Sequence, residues 1–179
     1  MMRYLNIALV YLLFISITGC SGCSQSGRRV SATKKDRVSD SKDHGVLVSD
    51  GSRTVVRMVK SGGVYEIPVE INGVPMHFIF DTGASSISIS GAEALFLYKQ
   101  GKLSDEDVVG KQNFIDATGR VSEGTVIKLH SVKLGNKTLY NVSASVVHNM
   151  EAPLLFGQSA LERFGKISID YNKGIIIFE

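Results

Sequence analysis

The stretch Phe78-Ile79-Phe80-Asp81-Thr82-Gly83-Ala84-Ser85 constrains the fold of this 179-residue chain more than any other segment. Three large apolar residues indicate a buried strand, and a carboxylate, a hydroxyl and a glycine follow where that strand ends. Asp-Thr-Gly on its own is a common turn sequence. An apolar strand that ends abruptly in polar residues is nevertheless a position where chemistry is expected, so Asp81 is the first candidate catalytic residue.

The sequence around this stretch predicts a mostly β domain with three antiparallel hairpins. Val64–Ile71 alternates with the period of a strand, and the Asn72-Gly73 dipeptide that follows it favours a type I′ turn before the strand that leads to Asp81. The second hairpin is predicted across Val132–Tyr140, and the third turns at Tyr171–Gly174. Three hairpins of this kind indicate an antiparallel architecture.

Two short helices are predicted to interrupt the strands. The ranges Gly91–Gln100 and Ala160–Phe164 are each opened by a Ser-x-x-Glu capping box, with Ser90 and Ser159 as the N-cap residues. The sequence around Ser159 also half-resembles the nucleophile elbow of α/β hydrolases, but Leu161 stands where that motif requires glycine. We therefore expect Ser159 to cap a helix rather than to act as a nucleophile.

The N-terminal residues predict a lipoprotein signal peptide. Arg3 precedes an apolar stretch of about fourteen residues, which is shorter than a membrane-spanning helix requires. This stretch ends in Ile17-Thr18-Gly19-Cys20, which resembles the bacterial lipobox. We expect residues 1–19 to be removed and Cys20 to carry the lipid, which would anchor the protein in the bacterial cell envelope, in the outer membrane or facing the periplasm. The alternative is an ordinary secreted protein cut at small residues.

The charge pattern separates a tether from a domain. The whole chain carries +3, but residues 28–60 contain nine Lys/Arg against four Asp, whereas residues 61–179 contain ten Lys/Arg against thirteen Asp/Glu. We expect a flexible tether over residues 20–61, whose apolar patches at 46–48 and 55–59 could add an edge strand, and a mildly acidic domain over residues 62–179. The basic charge belongs to the tether, so nucleic acid is not an expected partner.

Metal and cofactor chemistry is not expected. The four histidines show no ligand spacing, and residues 62–179 contain no cysteine. Cys20 and Cys23 form a C-x-x-C pair, but no second pair accompanies it, so neither a zinc site nor a redox site is favoured.

The quoted stretch, together with a second motif downstream, resembles the retropepsin-like aspartic proteases, in particular their bacterial envelope members. The second motif is the apolar run Pro153–Phe156, then Gly157 and a short helix. The resemblance extends in order from about Val64 to Phe178. It implies a closed β-barrel of the acid-protease type with one or two short helices, and hydrolysis of peptide bonds without a cofactor.

The same resemblance implies a homodimer. Two carboxylates held about 3 Å apart share one proton, so that one activates a water while the other polarises the scissile carbonyl. This chain has a single Asp-Thr-Gly, because Asp50-Gly51-Ser52 and Asp116-Ala117-Thr118-Gly119 have the wrong spacing. Each protomer would therefore supply Asp81, with Thr82 and Gly83 completing the catalytic loop.

The family also covers its substrate with a flap hairpin. Phe114–Val121 followed by Thr125–Leu129 fits this element, although an ordinary surface hairpin is the alternative. The resemblance implies four substrate-binding residues, which are Ala84, Ala117, Thr118 and Gly119. The competing function is a retropepsin-fold module that dimerises and binds a peptide or another envelope component without cutting it.

Overall fold

A computed structural model of the chain describes residues 46–115 and 118–179. The predicted signal peptide, Cys20 and most of the predicted tether lie outside these residues. The strands are β1 (Leu47–Val48), β2 (Thr54–Arg57), β3 (Val59–Ser61), β4 (Val64–Ile71), β5 (Val74–Phe80), β6 (Ile87–Ser90), β7 (Val108–Ile115), β8 (Val121–Leu134), β9 (Lys137–Val147), β10 (Leu155–Phe156), β11 (Ile167–Asp170) and β12 (Ile175–Phe178). The α-helices are α1 (Gly91–Lys99) and α2 (Gln158–Leu161), and 3₁₀ turns cover Asp105–Asp107 and Glu162–Phe164.

Six strands pair in a closed ring. Their order is β9-β6-β10-β5-β4-β8, and β8 pairs with β9 as well as with β4. The 14-residue β8 makes this possible, because Val132 lies opposite Ile71 on one side and opposite Leu139 on the other. Closure pairs both edges of every strand in the ring along part of its length. The predicted mostly β fold with short helices is confirmed.

The hairpin turns explain why the strands meet in this register. Asn72 and Gly73 have φ values of 49° and 83°, as both central residues of a type I′ turn require. Asn72 is fixed there by its side chain, which donates to the carbonyl of Lys102 at 2.7 Å and accepts from the N–H of Ser131 at 2.9 Å. The predicted hairpins at Gly135 and Gly174 also form. All three hairpin predictions are therefore confirmed.

A row of four phenylalanines links the ring to β12, which belongs to a second, three-stranded sheet. Phe78 and Phe156 lie with their ring centroids 6.1 Å apart, Phe156 and Phe164 are 6.0 Å apart, and Phe164 and Phe178 are 5.7 Å apart. All four side chains are fully buried. Burying a side chain of this size stabilises the fold by about 1.5 to 3 kcal/mol. The strand that leads to Asp81 is therefore packed into the core through Phe78.

Three strands lie before residue 62, the predicted start of the domain. The second sheet has the order β11-β12-β2, and β1 pairs with β9. Residues 47–61, which the charge pattern assigned to the tether, thus contribute three strands. The physical reason lies in the apolar patch at 55–59, because Val56 and Met58 are buried between exposed neighbours and so provide one apolar face to a strand.

The two helices differ in how they begin. In α1, the Ser90 hydroxyl accepts from the N–H groups of Ala92 and Glu93 and donates to the Glu93 carboxylate, as predicted. In α2, the predicted N-cap Ser159 is wrong, because the helix starts at Gln158 with Gly157 as its N-cap and no side-chain cap bond. The N–H groups of Gln158 and Ser159 already donate to carbonyls of another loop, so the first turn needs no hydroxyl cap.

Candidate active site

Asp81 lies directly after β5, at the strand end where the sequence placed it. Phe78 in this strand is fully buried, while Asp81 itself is half-buried. β10 runs parallel to β5 and sets Phe156 beside Phe80, and the N–H of Asp81 donates to the carbonyl of Phe156 at 3.2 Å. A neighbouring strand therefore fixes the backbone of Asp81 without burying its side chain.

The residues Asp81–Ser85, which we call the Asp81 loop, fold back on the carboxylate. The N–H of Gly83 donates to Asp81 Oδ1 at 2.8 Å, and the N–H of Ala84 donates to the Asp81 carbonyl at 3.3 Å. A Cβ atom on Gly83 would stand 3.1 Å from Asp81 Oδ1. Gly83 does not adopt a positive φ, so its small size beside the carboxylate, rather than its conformational freedom, distinguishes this position.

The segment Gly157–Ser159, which we call the supporting segment, holds the Asp81 loop through three hydrogen bonds. The N–H of Gln158 donates to the carbonyl of Ala84 at 2.9 Å, and the N–H of Ser159 donates to the carbonyl of Ser85 at 3.0 Å. The side-chain amide of Gln158 donates to the carbonyl of Thr82 at 2.8 Å. Three of the five carbonyl groups of the loop are thus hydrogen-bonded to the start of one short helix.

Gly157 allows the supporting segment to come this close. A Cβ atom at this position would lie 2.4 Å from the carbonyl oxygen of Ser86 and 2.6 Å from that of Ala84. Both obstacles are backbone atoms, so a side chain here would push the two segments apart. Sequence reasoning placed Gly157 in the second motif but did not assign it or Gln158 a role; the signal was the glycine directly after a buried strand.

The surface of the Asp81 loop is open in a single chain. Thr82, Gly83 and Ser85 are exposed, and Asp81 and Ala84 are half-buried. A carboxylate held in this way can exchange a proton with water or with a carbonyl oxygen. One carboxylate cannot act as base and acid in the same step, so a mechanism that needs both would require a second group.

The hairpin of β7 and β8 lies at the segment for which a flap is predicted. Its strands pair up to Ile115 and Val121, whose side chains are 73% and 60% exposed. Thr118 and Gly119 lie in its turn, where Gly119 has φ 84°. The other predicted tip residue, Ala117, and the neighbouring Asp116 lie outside the described residues.

Asp50, one of the two alternative aspartates, stands in a different setting from Asp81. It is exposed and accepts hydrogen bonds from the hydroxyl and the N–H of Ser52 and from the side chain of Asn136. The Ser52 hydroxyl, more than the other contacts, lowers the pKa of Asp50. This carboxylate follows no buried strand and belongs to a turn that packs on the β8–β9 hairpin.

Two further properties of the described residues bear on chemistry and location. Within residues 46–115 and 118–179, no group of three or more His, Cys, Asp or Glu is placed to hold a metal ion. Over the same residues, no helix combines the length and the apolar character needed to cross a membrane.

The closed strand ring and the Asp-Thr-Gly loop after a buried strand define a chain with a retropepsin-like fold. A family model described as gag-polyprotein putative aspartyl protease matches residues 67–163, which is more than half of the chain. The chain belongs to this family. A solved structure of a retropepsin-like aspartic protease from Rickettsia conorii matches with a TM-score of 0.50 and 24% identity, covering 75% of this chain and 93% of that one. No curated protein matches significantly.

Proposed function

We propose that this protein is an aspartic endopeptidase in which Asp81 is the catalytic carboxylate. The observation that carries the proposal is the Asp81 loop itself: a carboxylate at the end of a fully buried strand, fixed by bonds from β10 and from the supporting segment, and open to solvent on its other side. Rigid placement of a reacting group supplies much of the catalysis in such sites. Membership of an aspartyl protease family supports the same chemistry.

The mechanism requires a second carboxylate, which we propose comes from a second copy of the chain. Two Asp81 loops related by a twofold axis would share one proton between their carboxylates. The unprotonated carboxylate takes a proton from water as the water attacks the scissile carbonyl carbon, and the protonated one donates to the carbonyl oxygen. Collapse of the tetrahedral intermediate, with proton transfer to the nitrogen, then breaks the peptide bond. Thr82 and Gly83 complete this loop, and Ala84 with the hairpin tip at Thr118 and Gly119 would contact the substrate backbone.

Exposed apolar residues support a partner at this end of the molecule. Glu66 of β4 lies opposite Ile79 of β5, so the preceding residue Tyr65 lies near the end of β5 that leads to Asp81. The ring centroid of Tyr65 is 5.3 Å from that of Tyr171. Tyr171 is 63% exposed, and β11, which leads into it, is an edge strand of its sheet within the described residues. An open apolar edge of this kind is a ready surface for strand pairing.

The test compares the wild type with Asp81→Asn on a peptide library at roughly pH 4 to 7. We expect the variant to lose at least about a thousandfold in kcat/KM while its thermal unfolding stays unchanged. Adding an equal amount of the variant to the wild type should reduce activity per wild-type chain to about half, because half of the wild-type chains then pair with an inactive partner. Equal cleavage by Asp81→Asn would refute the catalytic role, and unchanged activity on mixing would refute the shared site.

We also propose that the protein acts at a membrane of the bacterial cell envelope, anchored through lipidated Cys20. The lipobox-like sequence supports this proposal. The chain between Cys20 and the first described residue, Val46, can span at most about 90 Å when extended. Such a tether would let the domain reach substrates near the membrane. Cys20→Ala is expected to move the protein from the membrane fraction to the soluble fraction, and retention in the membrane would contradict the anchor.

A further inference from the structure

A cavity of about 260 Å³ lies beside the Asp81 loop and has a wall made mostly of serines. We call it the serine cavity, and its polar lining residues are Ser85, Ser86, Gln112, Ser143, Ser145 and Ser159. Val126 and Ala144 provide the apolar part of the wall, and no charged residue lines it. The lining therefore offers several neutral hydrogen-bonding groups around a small apolar surface.

The position of the serine cavity connects the two parts of the proposed active site. Ser85 ends the Asp81 loop and Ser86 follows it, while Gln112 belongs to β7 of the flap hairpin. Four residues of extended chain span about 14 Å at most, so Ser85 is no farther than this from Asp81. This distance is within the reach of a substrate residue a few positions away from a scissile bond at Asp81.

The hydroxyls of the cavity are not all satisfied by the protein. Ser86 Oγ and Ser145 Oγ lie 3.3 Å apart, and Ser145 is only 4% exposed. The Ser159 hydroxyl is buried and has no hydrogen-bond partner among the described residues. A buried hydroxyl without a partner is costly, and native structures rarely retain one without a reason. Because Ser159 does not cap its helix, its hydroxyl is available for another partner after rotation about χ1.

We propose that the serine cavity is a specificity pocket for an uncharged carboxamide side chain, asparagine or glutamine, of a peptide substrate. This inference rests on the proposed function. A carboxamide offers two donors and two acceptor positions, which suit a wall of hydroxyls that can each donate and accept. An aliphatic side chain of the same size would leave buried hydroxyls unpaired, and a charged one would lose its hydration without meeting an opposite charge.

The experiment measures peptide binding separately from cleavage. The full-length Asp81→Asn protein is titrated with fluorescein-labelled decapeptides that differ at one position in near-isosteric pairs, Asn against Leu and Gln against Met. We expect one position at which the carboxamide binds about tenfold more tightly. Ser159→Ala and Ser145→Ala should each reduce that preference by about threefold, and Ser86→Leu should abolish it by filling the cavity. Ser131→Ala, a half-buried serine of β8 outside the cavity, is the matched control.

Each outcome decides the inference without deciding the proposed function. A carboxamide preference that falls in the cavity variants and persists in the control supports the pocket, even if the wild type cleaves nothing. A preference that survives Ser86→Leu, a preference for the aliphatic partner, or no peptide binding at all overturns it. Cleavage by the wild type without any carboxamide preference would leave the proposed function intact and refute the pocket.

Discussion

The Asp81 loop and the β7–β8 hairpin face the same proposed substrate, but they are attached to the molecule differently. The loop follows a strand containing the fully buried Phe78, and the supporting segment donates three hydrogen bonds to it. The hairpin extends outward, and the side chains at its last pair, Ile115 and Val121, are 73% and 60% exposed. Under the proposed function, the firmly bonded loop would carry the chemistry and the more exposed hairpin would cover the substrate.

The largest effect is expected from a variant that separates the supporting segment from the Asp81 loop. Gly157→Ala would place a Cβ within 2.6 Å of two backbone carbonyls. We expect a loss of about 3 kcal/mol or more in the free energy of unfolding, together with loss of activity, because relieving the clash requires one of the two backbone segments to shift. Gly110→Ala in the hairpin is the control, since an added Cβ there meets nothing within 4 Å. Urea unfolding of both variants checks the prediction, and similar stabilities would contradict it.

A smaller change removes one bond from the loop and keeps its packing. Gln158→Met retains the size of the side chain but cannot donate to the Thr82 carbonyl, so the Asp81 loop should lose part of its preorganisation. We expect kcat to fall about fivefold, with KM changed less than twofold and with stability nearly unchanged, because this hydrogen bond is exposed. Gln100→Met, at another exposed glutamine, is the matched variant. A rise in KM alone would assign Gln158 to substrate binding instead.

Changes at the hairpin tip are expected to alter KM rather than kcat, which is the reverse of the effect expected for Gln158→Met. The double variant Ile115→Thr and Val121→Thr keeps β-branched side chains while removing apolar surface from the tip. We expect KM to rise about threefold while kcat and thermal stability stay within error, since these side chains contact solvent in the free chain. Val109→Thr, at an equally exposed position near the start of the hairpin, should change neither parameter. A fall in kcat without a change in KM would mean that the tip takes part in chemistry.

The features that local sequence could predict are those set by neighbouring residues. The Asn72-Gly73 turn and the position of Asp81 at a strand end follow from short patterns, and both are found in the structure. The Ser90 cap of α1 is local in the same sense. The strands before residue 62 are harder to predict, because the apolar patch at 55–59 is short and interrupted by Arg57, and the burial of Val56 depends on β12, more than a hundred residues away.

The contacts that support the Asp81 loop were beyond local prediction for the same reason. Gln158 reaches Thr82 across 76 positions of sequence, and the pattern around it also fits an ordinary capped helix. Ser159 shows the consequence, since a residue type that commonly caps helices lines a cavity once distant carbonyls satisfy the helix start. The start of this helix is therefore set by the close approach of two distant segments in the ring of strands, and not by local propensity.

The smallest effect is expected at the base of the hairpin, where a buried carboxylate just before β7 contacts β8. Asp107, just before β7, accepts from the N–H and hydroxyl of Ser104 and lies 2.6 Å from His130 Nε2 of β8. Burial raises the pKa of Asp107. The hydrogen bonds from the Ser104 N–H, the Ser104 hydroxyl and His130 together lower this pKa by more than burial raises it, so the pKa lies below its ordinary value of 3.8.

This lowered pKa fixes the sign of a pH effect on stability. The folded chain binds fewer protons than the unfolded chain near pH 4, so the contribution of Asp107 is complete above its ordinary pKa and is lost as the pH falls through the lowered one. Between about pH 6 and pH 3, the wild type should lose about 0.5 kcal/mol more stability than Asp107→Asn. Asp105→Asn, on the exposed side of the same turn, should follow the wild type. Equal pH dependence of thermal unfolding for wild type and Asp107→Asn would show that the base of the hairpin does not depend on this carboxylate.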